Sequence, residues 1–411
     1  MASHIPVVAA FDGYRAYGIL GTVVAHLLGR SGVIAALSGT WLVHVLHGTL
    51  DQFVDILFII SGFVVFLPTV ARHGEFGNVP WYAIRRAARL VPAYWLVLVI
   101  LLVLTALAPI HPPFPFPPLS SIGVHTVFGQ IPARLFPDWQ QAVGFGQDDA
   151  LWTLSLEVTF YVLLPFIAAW YFRRPLLGLF IAAAITAVWQ EALIHGWTVL
   201  GYHFDIARLG RQFPAYAFAF ATGMTGAWAY VRVRERYTPA QLARPVGAAQ
   251  LISLISLGVF CYVRGFGAVG QGLLDRNSPI IVLGFMGSLA AFMVTTALGS
   301  TRWQWPFAHP FARWLGDISY GMFLINLVII NYAIRLFTST TAVHGPFNVN
   351  GDGSLGTFLA LTAVVLPLTV LYGYISGRYL EQPIRRWAHR FGRREQAATA
   401  RPATAKVPAG S

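Results

Sequence analysis

Hydrophobic positions along the chain come in long runs rather than in amphipathic stripes. Ten stretches stand out, at roughly 10–29, 51–70, 92–110, 152–171, 176–193, 213–231, 246–263, 279–298, 317–335 and 356–376. Each approaches the ~20 mostly apolar residues that a helix needs to cross a bilayer. The pattern predicts an all-α fold: a polytopic integral membrane helical bundle of about ten transmembrane helices. No half of the chain repeats another, which disfavours transporter architectures built from duplicated halves. The first run starts beyond a polar Ser-His without a basic leader or a small-residue cleavage site, so it reads as a retained helix.

Composition agrees with this pattern. Of 411 residues, 56% are hydrophobic and 11% charged, against about a quarter charged in soluble domains. So few charges cannot coat a soluble globule, and so apolar a chain cannot stay disordered. The single cysteine, Cys261, excludes an internal disulfide.

The net charge of +12 invites a nucleic-acid reading until the arginines are placed. With the N-terminus cytoplasmic, twenty of the 28 basic residues fall in inner segments. Seven fall outside: Arg30, Arg134, Arg208, Arg211, Arg264, Arg276 and Arg335. That asymmetry predicts both termini in the cytoplasm and a multi-pass protein of the inner (plasma) membrane. The cations then face the inner leaflet and need no nucleic acid. Residues 1–390 read as one transmembrane domain and 391–411 as a basic, disordered cytoplasmic tail. The connection 111–150, with its proline run and Asp138, Asp148 and Asp149, reads as an extended outer cover. Chemistry therefore falls to the membrane core.

Ionisable groups inside the spans are the most informative residues, since each costs ~2.5–3.5 kcal/mol at a helix centre. Asp12 and Arg15, three apart, share a helix face and can pair. Arg15 and His26 are eleven apart, ~20° beyond three full turns, which puts them on one side of a helix ~16 Å apart. A plain end-of-helix ion pair and a packed polar histidine would satisfy the same spacing. Asp55 and Ser61-Gly62 read first as structural, the small pair allowing close helix contact. Arg85, Arg86 and Arg89 precede a span: guanidinium forks suited to phosphate, or ordinary topology signals with Tyr94 and Trp95 as anchors. Glu157 has no basic residue within fifteen positions, so it is neutral or meets a cation from another helix, Arg15 or His26 being natural partners.

Taken together, these segments resemble the acyltransferase 3 family of bacterial membrane O-acyltransferases. The matching stretches begin with Phe11-Asp-Gly-Tyr-Arg15 through His26, an Arg-x10-His pattern, and Val54-Asp-Ile-Leu-Phe-Ile-Ile-Ser-Gly-Phe63. Arg86 and Arg89 look like an Arg-x-x-Arg element, and Trp152-Thr-Leu-Ser-Leu-Glu157, running on through Tyr161 to Pro165, looks like a Trp-Ser-Leu-x-x-Glu block. Ile318 to Asn326 and Arg378 to Arg386 complete the order. The resemblance implies transfer of an acyl group, usually acetyl, from cytoplasmic acyl-CoA to a hydroxyl of a surface polysaccharide or of a macrolide-type glycoside. It implies no tightly bound cofactor and no metal, with acyl-CoA as co-substrate. It also implies a catalytic role for His26 with Arg15, and donor binding by Arg86 and Arg89. One departure stands out: Asn326 lies where the family often has histidine, and an amide cannot shuttle a proton.

The mechanism expected on these grounds makes His26 the general base. Glu157 orients it or stabilises its imidazolium. Arg15 holds a CoA phosphate or offsets oxyanion charge, and Arg85, Arg86 and Arg89 bind the CoA phosphates. Asp12, Asp55, Trp152, Tyr161 and Asn326 support the site. The competing reading is a proton-coupled transporter using the same buried charges.

Overall fold

The computed structural model describes residues 8–50, 53–107, 115–136, 142–199, 202–268, 274–337 and 351–391. Each apolar run is a long helix: α1 (Ala9–Arg30), α2 (Phe53–Ala71), α3 (Val79–Leu107), α4 (Trp152–Arg173) and α5 (Pro175–Ile194), followed by α6 (Ala217–Arg236), α7 (Pro239–Ala268), α8 (Pro279–Leu298), α9 (Pro310–Phe337) and α10 (Leu355–Ile375). Strand is confined, among the described residues, to a small antiparallel hairpin of Thr198–Val199 with Tyr202–His203. The basic tail lies, apart from Phe391, outside the described residues. Phe391 stacks on Trp81 at 5.4 Å.

Among the described residues, eight helical segments, covering all of these except α1 and α6, are long and apolar enough to cross a membrane. The two exceptions account for the difference from ten. Asp12, Arg15 and His26 dilute the hydropathy of α1, and Arg232, Arg234 and Arg236 that of α6. Neither helix needs a lipid-soluble surface all round. α1 packs on α9 and α2, and α6 on α2, α5 and α8, so much of each is covered by protein. By contrast, α7 and α10 turn large apolar side chains outward, Ile252, Ile255, Leu359 and Leu371 among them. That is a lipid-facing surface, and it fits a polytopic bundle.

Close helix contacts are made through glycine. A Cβ on Gly62 of α2 would lie 2.1 Å from the Phe220 carbonyl oxygen of α6, and one on Gly223 of α6 would lie 2.1 Å from that of Ile59. The two helices therefore touch backbone to backbone. The packing role expected of Gly62 is what it performs.

Two boundaries differ from the apolar pattern in a way that matters. α3 begins at Val79, ahead of the apolar run, and passes through Pro92 without ending there, so Arg85, Arg86 and Arg89 lie within the helix, with Arg86 and Arg89 one turn apart on it as expected. The outer connection is also less of an extended cover than expected. A helix spans Leu119–Thr126, and short turns at Val143–Gly146 and Asp149–Leu151 tuck inward, burying His125, Gln147 and Asp148. Asp138 lies outside the described residues.

Candidate active site

Helical periodicity on α1 sets out the site. Arg15, Ile19, Thr22 and His26 recur every three or four residues and so line one face. Arg15 and Ile19 open into one cavity, Thr22 and His26 into another. Arg15 Nη1 donates to Asp12 Oδ1 at 3.0 Å, the pair that the spacing predicts.

The first cavity, about 70 Å³, lies between α1, α2, α3, α4 and α9. Arg15, Arg86 and Arg89 meet Glu157 and Tyr161 there. Glu157 Oε1 accepts from Ser61 Oγ at 2.8 Å and from the Tyr161 hydroxyl. Arg86 lies over the Tyr161 ring, 5.5 Å from its centre. Its Nε is buried without a hydrogen-bond partner among the described residues, which an incoming phosphate oxygen could supply. Arg85 is not part of this lining.

The second cavity, about 390 Å³, lies toward the opposite ends of α1 and α4. His26 and Trp152 line it with Arg211, Arg264 and Arg276. Trp152 carries the Arg211 guanidinium 5.3 Å from its ring centre. Arg211 is gripped by Asp149 through both terminal nitrogens, at 2.6 and 2.7 Å. Thr153 and Phe323 line both cavities, so the two spaces abut at those side chains.

His26 meets Asn326, not Glu157: its Nδ1 lies 2.7 Å from Asn326 Oδ1. The Asn326 amide nitrogen is already committed to the Phe323 carbonyl at 2.6 Å. Flipping the amide would press oxygen against oxygen, so Oδ1 must face the histidine. His26 Nδ1 then carries the proton, and Nε2 keeps its lone pair. Glu157 sits elsewhere because it faces the Arg15 end of the stripe, while His26 lies about three helical turns away. Ser61, read from sequence as a packing residue, belongs to the first cavity.

Of the supporting residues, Trp152 stands with His26 and Tyr161 with Glu157. Asp12 holds Arg15, and Asn326 holds His26. Asp55 is fully buried, within electrostatic reach of Arg264 and outside both linings. Arg211, Arg264 and Arg276 went unseen in the sequence as site residues. Their one signal was that they break the inward arginine bias.

A bundle of membrane-spanning helices with two abutting polar cavities, one rich in arginine and one holding a hydrogen-bonded histidine, defines a multi-pass membrane protein equipped for polar chemistry. The profile of the family described as acyltransferase domain, acyltransferase 3, matches residues 8–375, nearly the whole chain. The chain belongs to that family and is a membrane O-acyltransferase, which decides against the carrier reading. No curated protein and no solved structure matches it.

Proposed function

We propose that the protein moves an acyl group, acetyl in the simplest case, from acyl-CoA to a hydroxyl of a sugar or glycosylated acceptor. The reaction takes place in the inner (plasma) membrane. The observation that carries this reading is the junction at Thr153 and Phe323, where the arginine cavity abuts the His26 cavity. A thioester entering from one side and a hydroxyl from the other meet there.

The donor enters at the end where α3 begins, which the arginine bias assigns to the cytoplasm. Arg86 and Arg89 take its phosphates, with Arg85 adding charge outside the cavity. Glu157, held by Ser61 and Tyr161, keeps the three guanidinium groups from repelling one another. Neutral His26 accepts the acceptor's hydroxyl proton at Nε2 as the oxygen attacks the thioester carbonyl. The carbon–sulfur bond breaks, and the CoA thiolate leaves with the proton returned by the imidazolium. Arg15, in the first cavity and about three helical turns from His26, holds a phosphate of CoA. General-base help of this kind contributes ~10²–10⁴-fold.

The test is CoA release by the purified protein in liposomes, with acetyl-CoA and longer acyl-CoAs against a panel of glycosides. His26→Ala, folded as judged by thermal melting in detergent, is expected to release no CoA above background. Full activity in that variant removes the base.

A further inference from the structure

Among the described residues, two side chains belong to the linings of both cavities: Thr153 of α4 and Phe323 of α9. They form the partition between the arginines and His26. Thr153 is its fixed half, since its hydroxyl donates to the Ala150 carbonyl at 3.1 Å in the turn ahead of α4. The other α9 residues of the first lining are pinned as well. Ser319 donates to the Gly316 carbonyl at 2.7 Å, and the Tyr320 hydroxyl to the Leu90 carbonyl at 2.8 Å. Phe58, the second phenylalanine of that lining, packs against the rings of Trp152, Tyr216 and Phe220. The Phe323 side chain has no directional hold of this kind. It is buried, carries no polar group and meets no aromatic ring among the described residues. Its backbone, by contrast, is tied: the carbonyl accepts from Asn326, which faces His26. The ring can therefore turn about its own side-chain bonds while the Asn326–His26 pair stays in place.

We propose that Phe323 is a gate between the two cavities: its ring closes the passage and swings aside to let the pantetheine arm of the donor through. The proposal rests on the acyl-CoA donor of the transfer reading and names the residue that controls the thioester's approach to His26. Arg86 and Arg89 stand in the smaller cavity, of about 70 Å³, and His26 in the larger, of about 390 Å³. A donor held by its phosphates on the arginine side presents its thioester to His26 only by passing the partition. Of the two side chains there, the unpinned one is the one that can yield. A closed ring also keeps water in the larger cavity from a thioester waiting on the arginine side, and such exclusion protects a reactive group from hydrolysis. Phenylalanine suits this task, because its ring fills space, repels water and breaks no hydrogen bond when it moves. Phe323 is in this sense a positioning residue: it touches the passage, while His26 does the chemistry.

The test is equilibrium binding in detergent to the parent protein, Phe323→Ala and Phe323→Leu, each checked for folding by thermal melting. Acetyl-CoA carries the arm, whereas adenosine 3′,5′-bisphosphate carries phosphates without it. A passage open about a tenth of the time weakens the apparent affinity for an arm-bearing ligand about tenfold. Acetyl-CoA is therefore expected to bind Phe323→Ala about tenfold more tightly than it binds the parent, with the bisphosphate unchanged. Phe323→Leu, the milder substitution, should shift acetyl-CoA in the same direction by about threefold on the same arithmetic. A ring that is only part of the packed core moves both ligands alike or neither, and a ring that merely contacts the bound arm weakens acetyl-CoA when it is removed. Each of these results overturns the gate. The two readings fail separately. Tighter binding confined to acetyl-CoA, with no CoA released against any glycoside, keeps the gate and removes the transfer chemistry. CoA release without that shift does the reverse.

Discussion

His26 and Asn326, three hundred positions apart, face each other at 2.7 Å across the contact between α1 and α9. The amide, locked by the Phe323 carbonyl, accepts from Nδ1 and so leaves Nε2 as the basic nitrogen. On the proposed mechanism the site needs no second histidine at position 326: the amide orients the base rather than relaying its proton.

Replacing that amide should change rate more than affinity. Asn326→Leu is expected to lower kcat about 10- to 100-fold with KM for both substrates nearly unchanged, the cost of losing one orienting hydrogen bond to a group charged in the transition state. Asn326→Asp places a carboxylate against Nδ1 and raises the basicity of the imidazole. The acidic limb of the pH–rate profile should then move to higher pH. A profile that stays in place in Asn326→Asp would show that position 326 only packs.

Arg86 and Arg89 should govern the donor. Each charge-assisted contact to phosphate is worth roughly 1.5–3 kcal/mol, so Arg86→Ala or Arg89→Ala should raise the acyl-CoA KM about 10- to 100-fold. Arg89→Lys should recover only part of this, because an ammonium lacks the planar fork. Arg85→Ala, outside the cavity, is expected to have a much smaller effect. Equal losses at all three positions, measured as KM against ionic strength, would return the cluster to a topology signal.

How much of this was readable beforehand follows from the distance over which each feature is encoded. The helices, the Asp12–Arg15 pair and the Arg15-to-His26 stripe are local, and periodicity alone sets them. Glu157 was visible as a buried carboxylate without a sequence neighbour. Of its hydroxyl partners, Tyr161 is named among the supporting residues and Ser61 as a packing residue, but nothing in the sequence ties either to Glu157, because neutral groups break no hydropathy pattern. The His26–Asn326 contact and the convergence of Arg211, Arg264 and Arg276 depend on which helices pack together. Long apolar runs with equivalent surfaces do not specify that.

The glycine contact between α2 and α6 gives a stability test that bears on the site. Gly62→Ala forces a methyl to 2.1 Å from the Phe220 carbonyl oxygen, and the helices must separate. Overpacking of this kind costs typically 1–3 kcal/mol. Because α2 also carries Ser61, next to Gly62, thermal stability in detergent and CoA release should fall together. Gly258→Ala on α7, where an added methyl meets nothing within 4 Å, is the control and should melt at or slightly above the parent temperature.

Asp148 predicts the direction of a pH effect. It is fully buried at the turn before α4, and burial is the main cause that pushes its carboxyl well above the usual carboxylate range. The nearby charge of Asp149 adds to this, against the opposing hydrogen bond from the Ala150 amide at 3.1 Å. The folded protein thus retains a proton that the unfolded chain releases near pH 4. Between that pH and the raised folded value, the unfolded state binds fewer protons, so stability falls as pH rises, by at most about 1.4 kcal/mol per pH unit for one group. Asp148→Asn mimics the neutral acid and carries no proton to lose. Melting profiles in detergent from pH 5 to 8 should therefore decline less steeply with pH for Asp148→Asn than for the parent protein. Parallel profiles would mean that Asp148 is already ionised in the fold.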